Sequence, residues 1–290
     1  MSCELFNSSL ITAFMKTANP HIKPLEQALA ARFGWQTGAA WRDNLLAAIE
    51  KKAGKLKLDH LAYCRMAITS PAELEALAEL IANSETRFFR EPHQFDALKK
   101  IVIPRLIHHS AKDKRIDIWS GACATGEEAY SLAILVREAL PEKQGWKINL
   151  LATDFRGSAI ISATQGLYPS SALRSIEPEL LNAYFSKAET NGRERVYVAK
   201  PEVRKMISFR RANLYDAHFW KNLHHQFDLI LCNNLLMHFH ALAAKQTVER
   251  FAHVLRRGGL LMVMKSETSY VDHERLKIDT SLPSGFFKKI

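Results

Sequence analysis

The sequence contains no apolar run approaching the roughly 20 residues that a helical membrane span requires, which excludes such a span. Its four cysteines, Cys3, Cys64, Cys123 and Cys232, are scattered and form no C-x-x-C pair. That spacing points to reduced cytosolic thiols rather than a disulfide frame or a metal site. The opening stretch MSCELFNSSLITAF has no basic lead and no small-x-small cleavage motif, so it does not read as a signal peptide. Internal repeats and low-complexity tracts are also missing. What remains is an ordinary globular composition, 47% hydrophobic and 24% charged over 290 residues, enough for one large or two modest domains.

Acidic residues are in deficit, with 40 Lys and Arg against 30 Asp and Glu, and the excess is local. Residues 1–80 are nearly balanced, nine basic against eight acidic. Residues 81–115 hold eight against four, and residues 187–211 hold eight against three. Two basic stretches suggest an acidic macromolecular partner, either nucleic acid or an acidic protein surface. An idle solvated face would look the same.

The chain is organised around IDIWSGACATGEEAYSLA, residues 116–133. Ile116 to Trp119 reads as a buried strand, Ser120 to Gly126 as a loop of small residues, and Glu127 to Leu135 as a helix. Glycine at 121 and 126 permits close backbone approach, and a helix start offers free N–H groups, so this is a cradle for a nucleotide-like ligand. It is not a dinucleotide fingerprint. Cys123 replaces the middle glycine, and Glu127 and Glu128 would repel a pyrophosphate. Carboxylates at this place favour a cationic ligand without phosphates, and S-adenosylmethionine fits that description. The same residues would also make a plain strand-to-helix turn, with Thr125 as the cap and acids favoured in the first turn.

Residues 1–80 read as short helices, over 24–33, 41–49 and 71–81, the last with Ser70 as N-cap, Pro71 at N1 and Glu73 at N3. Lys51, Lys52, Lys55 and Lys57 form a basic cluster, either a docking edge or a solvated loop. The joining stretch SETRFFREPHQF precedes a helix over 93–106. The adjacent Phe88 and Phe89 cannot face the same way, so one plugs a core and the other lines something. From Ile116 on, strands and helices alternate. Strands read at 148–153, 207–210, 227–232 and 260–264, and helices at 158–164 and 241–255, the last stopped by Gly258-Gly259. A short alternating piece at 196–198 lies in the second basic stretch. Alternation of this kind predicts a parallel, doubly wound α/β sheet, with ligands bound beyond the carboxyl ends of its strands. Gly121, Asp154, Asn213, Asn233 and Asn234 stand at those ends. Asp154 could accept both hydroxyls of a ribose, or merely cap a helix. Asn234 could be only a turn former.

Taken in order, these motifs resemble the CheR family of chemoreceptor glutamate methyltransferases. Its T-x-F-F-R is matched by Thr86 to Arg90, its S-T-G-E-E by Ala124 to Glu128, and its A-T/S-D by Ala152 to Asp154. Its A-x-x-G-x-Y is matched by Ala163 to Tyr168, its N-L by Asn213-Leu214, and its F-D-x-I-x-C-R-N, except for Arg, by Phe227 to Asn234. Leu255 to Gly259 and Lys265 to Glu267 correspond to its closing L-K-P-G-G and H-S-E. The resemblance implies a Rossmann-like class I methyltransferase domain over 81–290, a small helical N-terminal domain over 1–80 and a small β-subdomain around 187–206. It implies S-adenosylmethionine held by Ser84, Thr86, Arg90, Gly121, Glu127, Asp154, Asn213, Leu214, Asn233 and Asn234. The partner it implies is the acidic cytoplasmic helices of a chemoreceptor-like protein, met in the cytoplasm.

The sequence departs from the family at Asn233, where an arginine is usual, at His238, where a tyrosine is usual, and at Phe155-Arg156. The reaction the resemblance implies is that of a protein-glutamate O-methyltransferase, in which a glutamate side chain attacks the sulfonium methyl in line. A carboxylate with an ordinary pKa near 4.3 is already ionised at neutral pH, so no general base is required. Arg90 would orient the carboxylate or the cofactor, or form a helix-flanking ion pair. His238 would serve as a polar lid or be a plain surface histidine. Two other readings stand beside this one. A nucleic-acid methyltransferase agrees with the basic charge, but Asn234-Leu235-Leu236-Met237 is not the N/D-P-P-Y/F of amino-methylating enzymes, and no cysteine follows a proline. A protein that binds cofactor without turnover agrees with the changes at Asn233 and His238.

Overall fold

The structure, a computed structural model, describes residues 22–82, 85–140, 145–188, 195–221, 223 and 226–290. The opening stretch with Cys3, the site candidate Ser84 and residues 189–194 of the second basic stretch lie outside the described residues. Two compact units divide between residues 83 and 84.

The N-terminal unit consists of four helices: α1 (Ile22–Phe33), α2 (Ala39–Leu56), α3 (His60–Thr69) and α4 (Pro71–Ile81). Leu25, Leu29, Leu45, Ile49 and Leu77 form its fully buried centre. α4 starts as its sequence predicts, with Ser70 Oγ accepting from the Glu73 N–H at 3.3 Å. α3 is an addition to the sequence reading. Asp59 caps it, accepting from the Ala62 N–H at 2.8 Å, and only Tyr63, Cys64 and Ala67 turn inward, too few to mark a stripe. In the basic cluster, Lys52 is ion-paired to Glu73 at 2.7 Å.

The larger unit is built on a seven-stranded sheet of order β6-β2-β1-β7-β8-β10-β9. Its strands are β1 (Arg115–Gly121), β2 (Lys147–Asp154), β6 (Ile207–Arg211), β7 (Phe227–Cys232), β8 (Leu255–Met262), β9 (Leu276–Ile278) and β10 (Phe286–Lys289). The first five run parallel, while β10 pairs antiparallel with β8 and β9. Preceding the sheet are α5 (Pro92–Ala97), a π turn at Leu98–Val102 and α6 (Ile103–His109). The other principal helices are α7 (Glu127–Ala139), α8 (Gly157–Gln165) and α12 (Ala241–Val254), with short α9 (Pro178–Tyr184), α10 (Pro201–Arg204) and α11 (Ala217–Lys221) between. Side chains alternate along β1 as a strand requires. Ile116 and Ile118 join one core with α7, and Trp119 joins the other with Phe227 and Phe251. Because the chain steps from β1 to β2 on one side and returns as β7 on the other, the tips of these three strands form the switch point.

Two expectations are corrected. Gly258-Gly259 does not stop the long helix. α12 ends at Val254, and both glycines lie inside β8. They serve a register shift against β7 between Phe227 and Leu229. Gly258 has φ +80, and a Cβ on Gly259 would stand 3.1 Å from the carbonyl oxygens of Phe227 and Asp228. The small sheet read around 187–206 is also displaced toward the N-terminus. Its order is β3 (Leu167–Pro169), β5 (Val196–Ala199), β4 (Phe185–Ala188), so it starts at 167 and ends at 199.

The end of α8 and the start of β3 brace the β1–α7 unit from behind. Tyr130 Oη donates to the Ala163 carbonyl at 2.9 Å, and Tyr168 Oη donates to the Thr125 carbonyl at 2.7 Å. Gly126 has φ +98, and a Cβ there would come within 3.0 Å of both Ala163 Cβ and Tyr168 Oη. At the opposite end of the sheet, buried Asp117 is ion-paired to Arg115 at 2.8 Å and to Arg256 at 2.6 Å, and Arg256 also reaches Asp228 at 2.6 Å. Burial alone would raise the Asp117 pKa, but bonds from Arg115, Asn149 and Arg256 hold it below the ordinary carboxylate value.

Gly126→Ala is expected to cost about 2 kcal/mol or more, from the clash and the strain of a left-handed alanine, read as a lower urea midpoint. Arg256→Ala is expected to cost about 3 kcal/mol at pH 7 by leaving two acids short of a partner. A depressed folded pKa stabilises above the ordinary carboxylate pKa and ceases to do so as pH falls through the folded value. The gap between wild type and Arg256→Ala in urea unfolding should therefore narrow below about pH 4.

Candidate active site

β1 ends at Gly121, where a Cβ would meet Leu214 Cδ1 at 3.3 Å and the Leu231 carbonyl at 3.4 Å. The bare Cα lets Leu214, on the segment after β6, pack beneath the loop. Ala122 and Ala124 then take left-handed φ values of 60 and 51. Non-glycine residues enter this region at a cost of about 1 kcal/mol or more, so something must hold them there. The tip of β2 does so. The Cys123 N–H donates to the Thr153 carbonyl at 2.9 Å, and the Ala124 N–H donates to Asp154 Oδ2 at 2.9 Å. Asp154 Oδ1 accepts from the Arg156 N–H at 2.9 Å and from Arg156 Nε at 3.3 Å. Asp154 is therefore buried and bonded on both oxygens, as the tie between loop and sheet.

Thr125 is not the cap of α7. The N-cap is Gly126, with no side-chain bond. Thr125 Oγ1 instead lies 2.7 Å from Glu127 Oε2 and 3.0 Å from Oε1. Thr86 is also hydrogen-bonded to Glu127, and burial pushes this carboxyl above its ordinary pKa. Glu128 accepts from Ser120 Oγ at 2.7 Å and from Asn233 Nδ2 at 2.7 Å. Burial raises its pKa too, and the nearby Glu267 adds to the rise. Asn233 thus bridges the tip of β7 to the start of α7.

Arg90 arrives on the Thr86–Arg90 segment, which is fixed by its two phenylalanines. Phe88 is fully buried, edge-on to Tyr168 and Phe185. Phe89, at φ 50, packs on Phe95 and donates its N–H to Ser131 Oγ at 3.0 Å. Ser131 Oγ in turn donates to the Glu127 carbonyl at 2.7 Å. Arg90 donates to the Glu85 carbonyl, and with the Asn234 amide turned to suit the network, to Asn234 Oδ1 from Nη1 and from Nη2 at 3.0 Å. Its charge also acts on Glu128. Asn234 has φ 58, and its N–H donates to Glu267 Oε2 at 2.8 Å.

The other candidates stand further out along the same strand ends. Asn213 Oδ1 accepts from the Tyr215 N–H at 3.0 Å, turning the chain after β6. The Leu214 carbonyl accepts from Trp220 Nε1 at 2.8 Å. His238 ends the 3-10 turn Leu236–His238 on its exposed side, and the protein covering part of its ring lowers its pKa.

Four residues of this site were given no site role by the sequence reading, Ser120, Arg156, Tyr168 and Glu267, while Glu128 was read as a carboxylate facing the ligand. Ser120 and Glu128 carried a usable signal, since a strand's last inward residue and a helix's first turn face one another across a short loop. Arg156 carried none, because its pairing to Asp154 depends on the turn into α8.

The residues fit a cationic, phosphate-free adenosyl ligand. Glu127, Glu128 and Asn233 offer acceptors, and Asn233 Oδ1 is buried without a partner. A buried acceptor in this condition is costly unless a donor reaches it, and an ammonium group is such a donor. Among the described residues, no group of three or more His, Cys, Asp or Glu is placed to hold a metal ion.

A family model described as CheR methyltransferase, SAM binding domain, matches residues 84–283. A chemotaxis protein methyltransferase of Listeria innocua is 37% identical over 195 residues, covering 67% of this chain and 69% of its own. A probable chemotaxis protein methyltransferase of Rhizobium etli is 33% identical over 208 residues, covering 71% and 76%. The chemotaxis protein methyltransferase of Salmonella typhimurium is 28% identical over 261 residues, covering 89% and 86%. The chain therefore belongs to the CheR methyltransferase family, and its larger unit is an S-adenosylmethionine-binding domain.

Proposed function

We propose that this protein methylates glutamate side-chain carboxylates on the cytoplasmic helices of a chemoreceptor-like protein, using S-adenosylmethionine. The observation that carries the reading is the group of acceptors at the tips of β1, β2 and β7, with the orphaned Asn233 Oδ1, in a chain whose relatives are named chemotaxis protein methyltransferases. Cofactor contacts are assigned to Thr86, Arg90, Gly121, Glu127, Asp154, Asn213, Leu214, Asn233 and Asn234, and also to Ser84. The basic stretches around residues 81–115 and 187–211 complement an acidic helix.

When bound, the cofactor supplies a sulfonium methyl group. A glutamate oxygen would take that methyl, the bonding pair of the broken C–S bond staying on sulfur. The products are a neutral methyl ester and S-adenosylhomocysteine, with no proton transferred. The protein's part is alignment and removal of water from the incoming carboxylate. Arg90 presents a planar fork that matches two carboxylate oxygens. His238, on the exposed side of its turn and with its pKa lowered by partial burial, is assigned the part of a polar lid.

The test uses cofactor labelled in the methyl group and receptor fragments rich in glutamate. A base-labile product that releases methanol is expected. A base-stable product, or cofactor binding with no transfer to any receptor, would overturn the reading. Arg90→Ala is expected to lower kcat/KM for the fragment about a hundredfold, as misplacement of a reacting group does. His238→Ala is expected to raise KM for the fragment more than it lowers kcat.

A further inference from the structure

Glu267 makes no ion pair among the described residues and its side chain is fully buried, bonded only to backbone N–H groups, that of Met264 at the start of its own turn among them. It stands on the 3-10 turn Lys265–Tyr270, just beyond β8. Its carboxylate faces the neighbouring strand end. Oε2 accepts from the Asn234 N–H at 2.8 Å and Oε1 from the Met237 N–H at 3.2 Å. Those two donors bracket the turn from β7 into Leu236–His238, the turn that carries Asn233, Asn234 and His238. Burying a carboxylate with no cation beside it costs more than burying a neutral group of the same shape. Burial does raise its pKa, while the backbone donors oppose that rise. Exchange for an apolar residue would leave the Asn234 and Met237 N–H groups without their acceptor.

What the carboxylate does hold is a strained turn. Asn234 sits at φ 58, a conformation that needs an outside anchor in a residue with a Cβ. From that conformation its amide oxygen accepts both bonds from the Arg90 guanidinium. The charge of Arg90 in turn acts on Glu128, which Asn233 bonds at 2.7 Å. One contiguous relay thus runs from Glu267 through the Asn234 backbone to the Asn234 side chain and on to the guanidinium.

We propose that Glu267 is a positioning residue of the methyl-transfer site, fixing the Asn233-Asn234 turn so that Arg90 is aimed into the cofactor pocket. The assignment rests on the reaction proposed above, and it deepens that reading by adding a group that touches neither substrate nor cofactor. Glu267→Gln keeps shape and size but turns one acceptor into a donor facing a backbone N–H.

A double-mutant cycle on the full chain tests the relay. Wild type, Glu267→Gln, Arg90→Ala and the double variant are compared for S-adenosylhomocysteine affinity by calorimetry and for kcat and KM with receptor fragment, well below the thermal midpoint of each. Glu267→Gln is expected to weaken S-adenosylhomocysteine about tenfold or more and to lower kcat. In the Arg90→Ala background it should add less than about twofold, since the two residues act through one another. Glu267→Asp keeps the charge but shortens the reach to the Asn234 N–H, should give the same coupled losses, and decides the question if Glu267→Gln does not fold. Losses that multiply independently, or a lowered midpoint with affinity and kcat unchanged, would each overturn the assignment. If wild type binds S-adenosylhomocysteine but esterifies no fragment, the proposed reaction fails while the affinity cycle still decides the relay. If it binds no S-adenosylhomocysteine, both fall.

Discussion

The site depends on one carboxylate that faces away from solvent. Asp154 accepts from the Ala124 N–H through one oxygen and from Arg156 through the other, so the end of β2 grips the loop that leaves β1. Ala122 and Ala124 hold left-handed φ values on either side of that grip. Without it, two alanines would relax toward ordinary conformations at a gain of about 1 kcal/mol or more each, and the first turn of α7 would swing with them. Glu127 and Glu128 are carried on that turn. Their placement is a consequence of the Asp154 bonds, the Tyr168 brace behind the loop and the missing Cβ of Gly126, acting together.

Strain is concentrated where these elements meet. Phe89, Glu91, Ala122, Ala124 and Asn234 are five of the seven non-glycine residues with positive φ among the described residues. Each lies on a segment that reaches the strand tips. The rest of the larger unit supplies the energy that keeps them so. Trp119, fully buried, is ringed by Phe219, Trp220, Phe227 and Phe251, and its Nε1 donates to Thr153 Oγ1 at 2.9 Å, one residue before Asp154. Aromatic packing of this kind makes the tip of β2 a rigid support rather than a hinge.

The parallel sheet and the β1–loop–α7 unit were legible because their signals are local: an apolar run, small residues, then a helical stripe. α3 was not, because an Asp59 cap and three inward residues leave too weak a periodicity over ten positions. Gly258-Gly259 misled because two glycines after a helical stripe ordinarily mean a stop. Here their function is to let β8 slip register against the carbonyls of β7, a neighbour 30 residues away. Reading Thr125 as a cap failed for a related reason. The helix starts one residue later, with Gly126 as its N-cap, and the Thr125 hydroxyl donates to the Glu127 carboxylate instead. Glu267 sat in a recognised motif yet was passed over, since its two bonds go to backbone N–H groups on another strand's exit, and no side-chain pattern encodes them.

The two ends of the sheet handle buried acid in opposite ways. At the amino ends of the strands, Asp117 and Asp228 are met by Arg115 and Arg256, and each charge is cancelled within 2.8 Å. At the carboxyl ends, Glu127, Glu128 and Glu267 are satisfied by hydroxyl, amide and backbone N–H donors instead of cations. Hydrogen bonds of that sort settle the lone pairs without neutralising the charge, so the second end keeps a negative field that the first end lacks. The guanidinium of Arg156 is bonded to Asp154 and its charge also acts on Glu127, while that of Arg90 acts on Glu128. With Asn233 rather than arginine at the tip of β7, the field is left under-compensated. A ligand bearing a sulfonium and an ammonium completes this balance, whereas a pyrophosphate would double the imbalance. The arrangement of charge, more than the shape of the loop, is what selects a cationic adenosyl ligand over a dinucleotide.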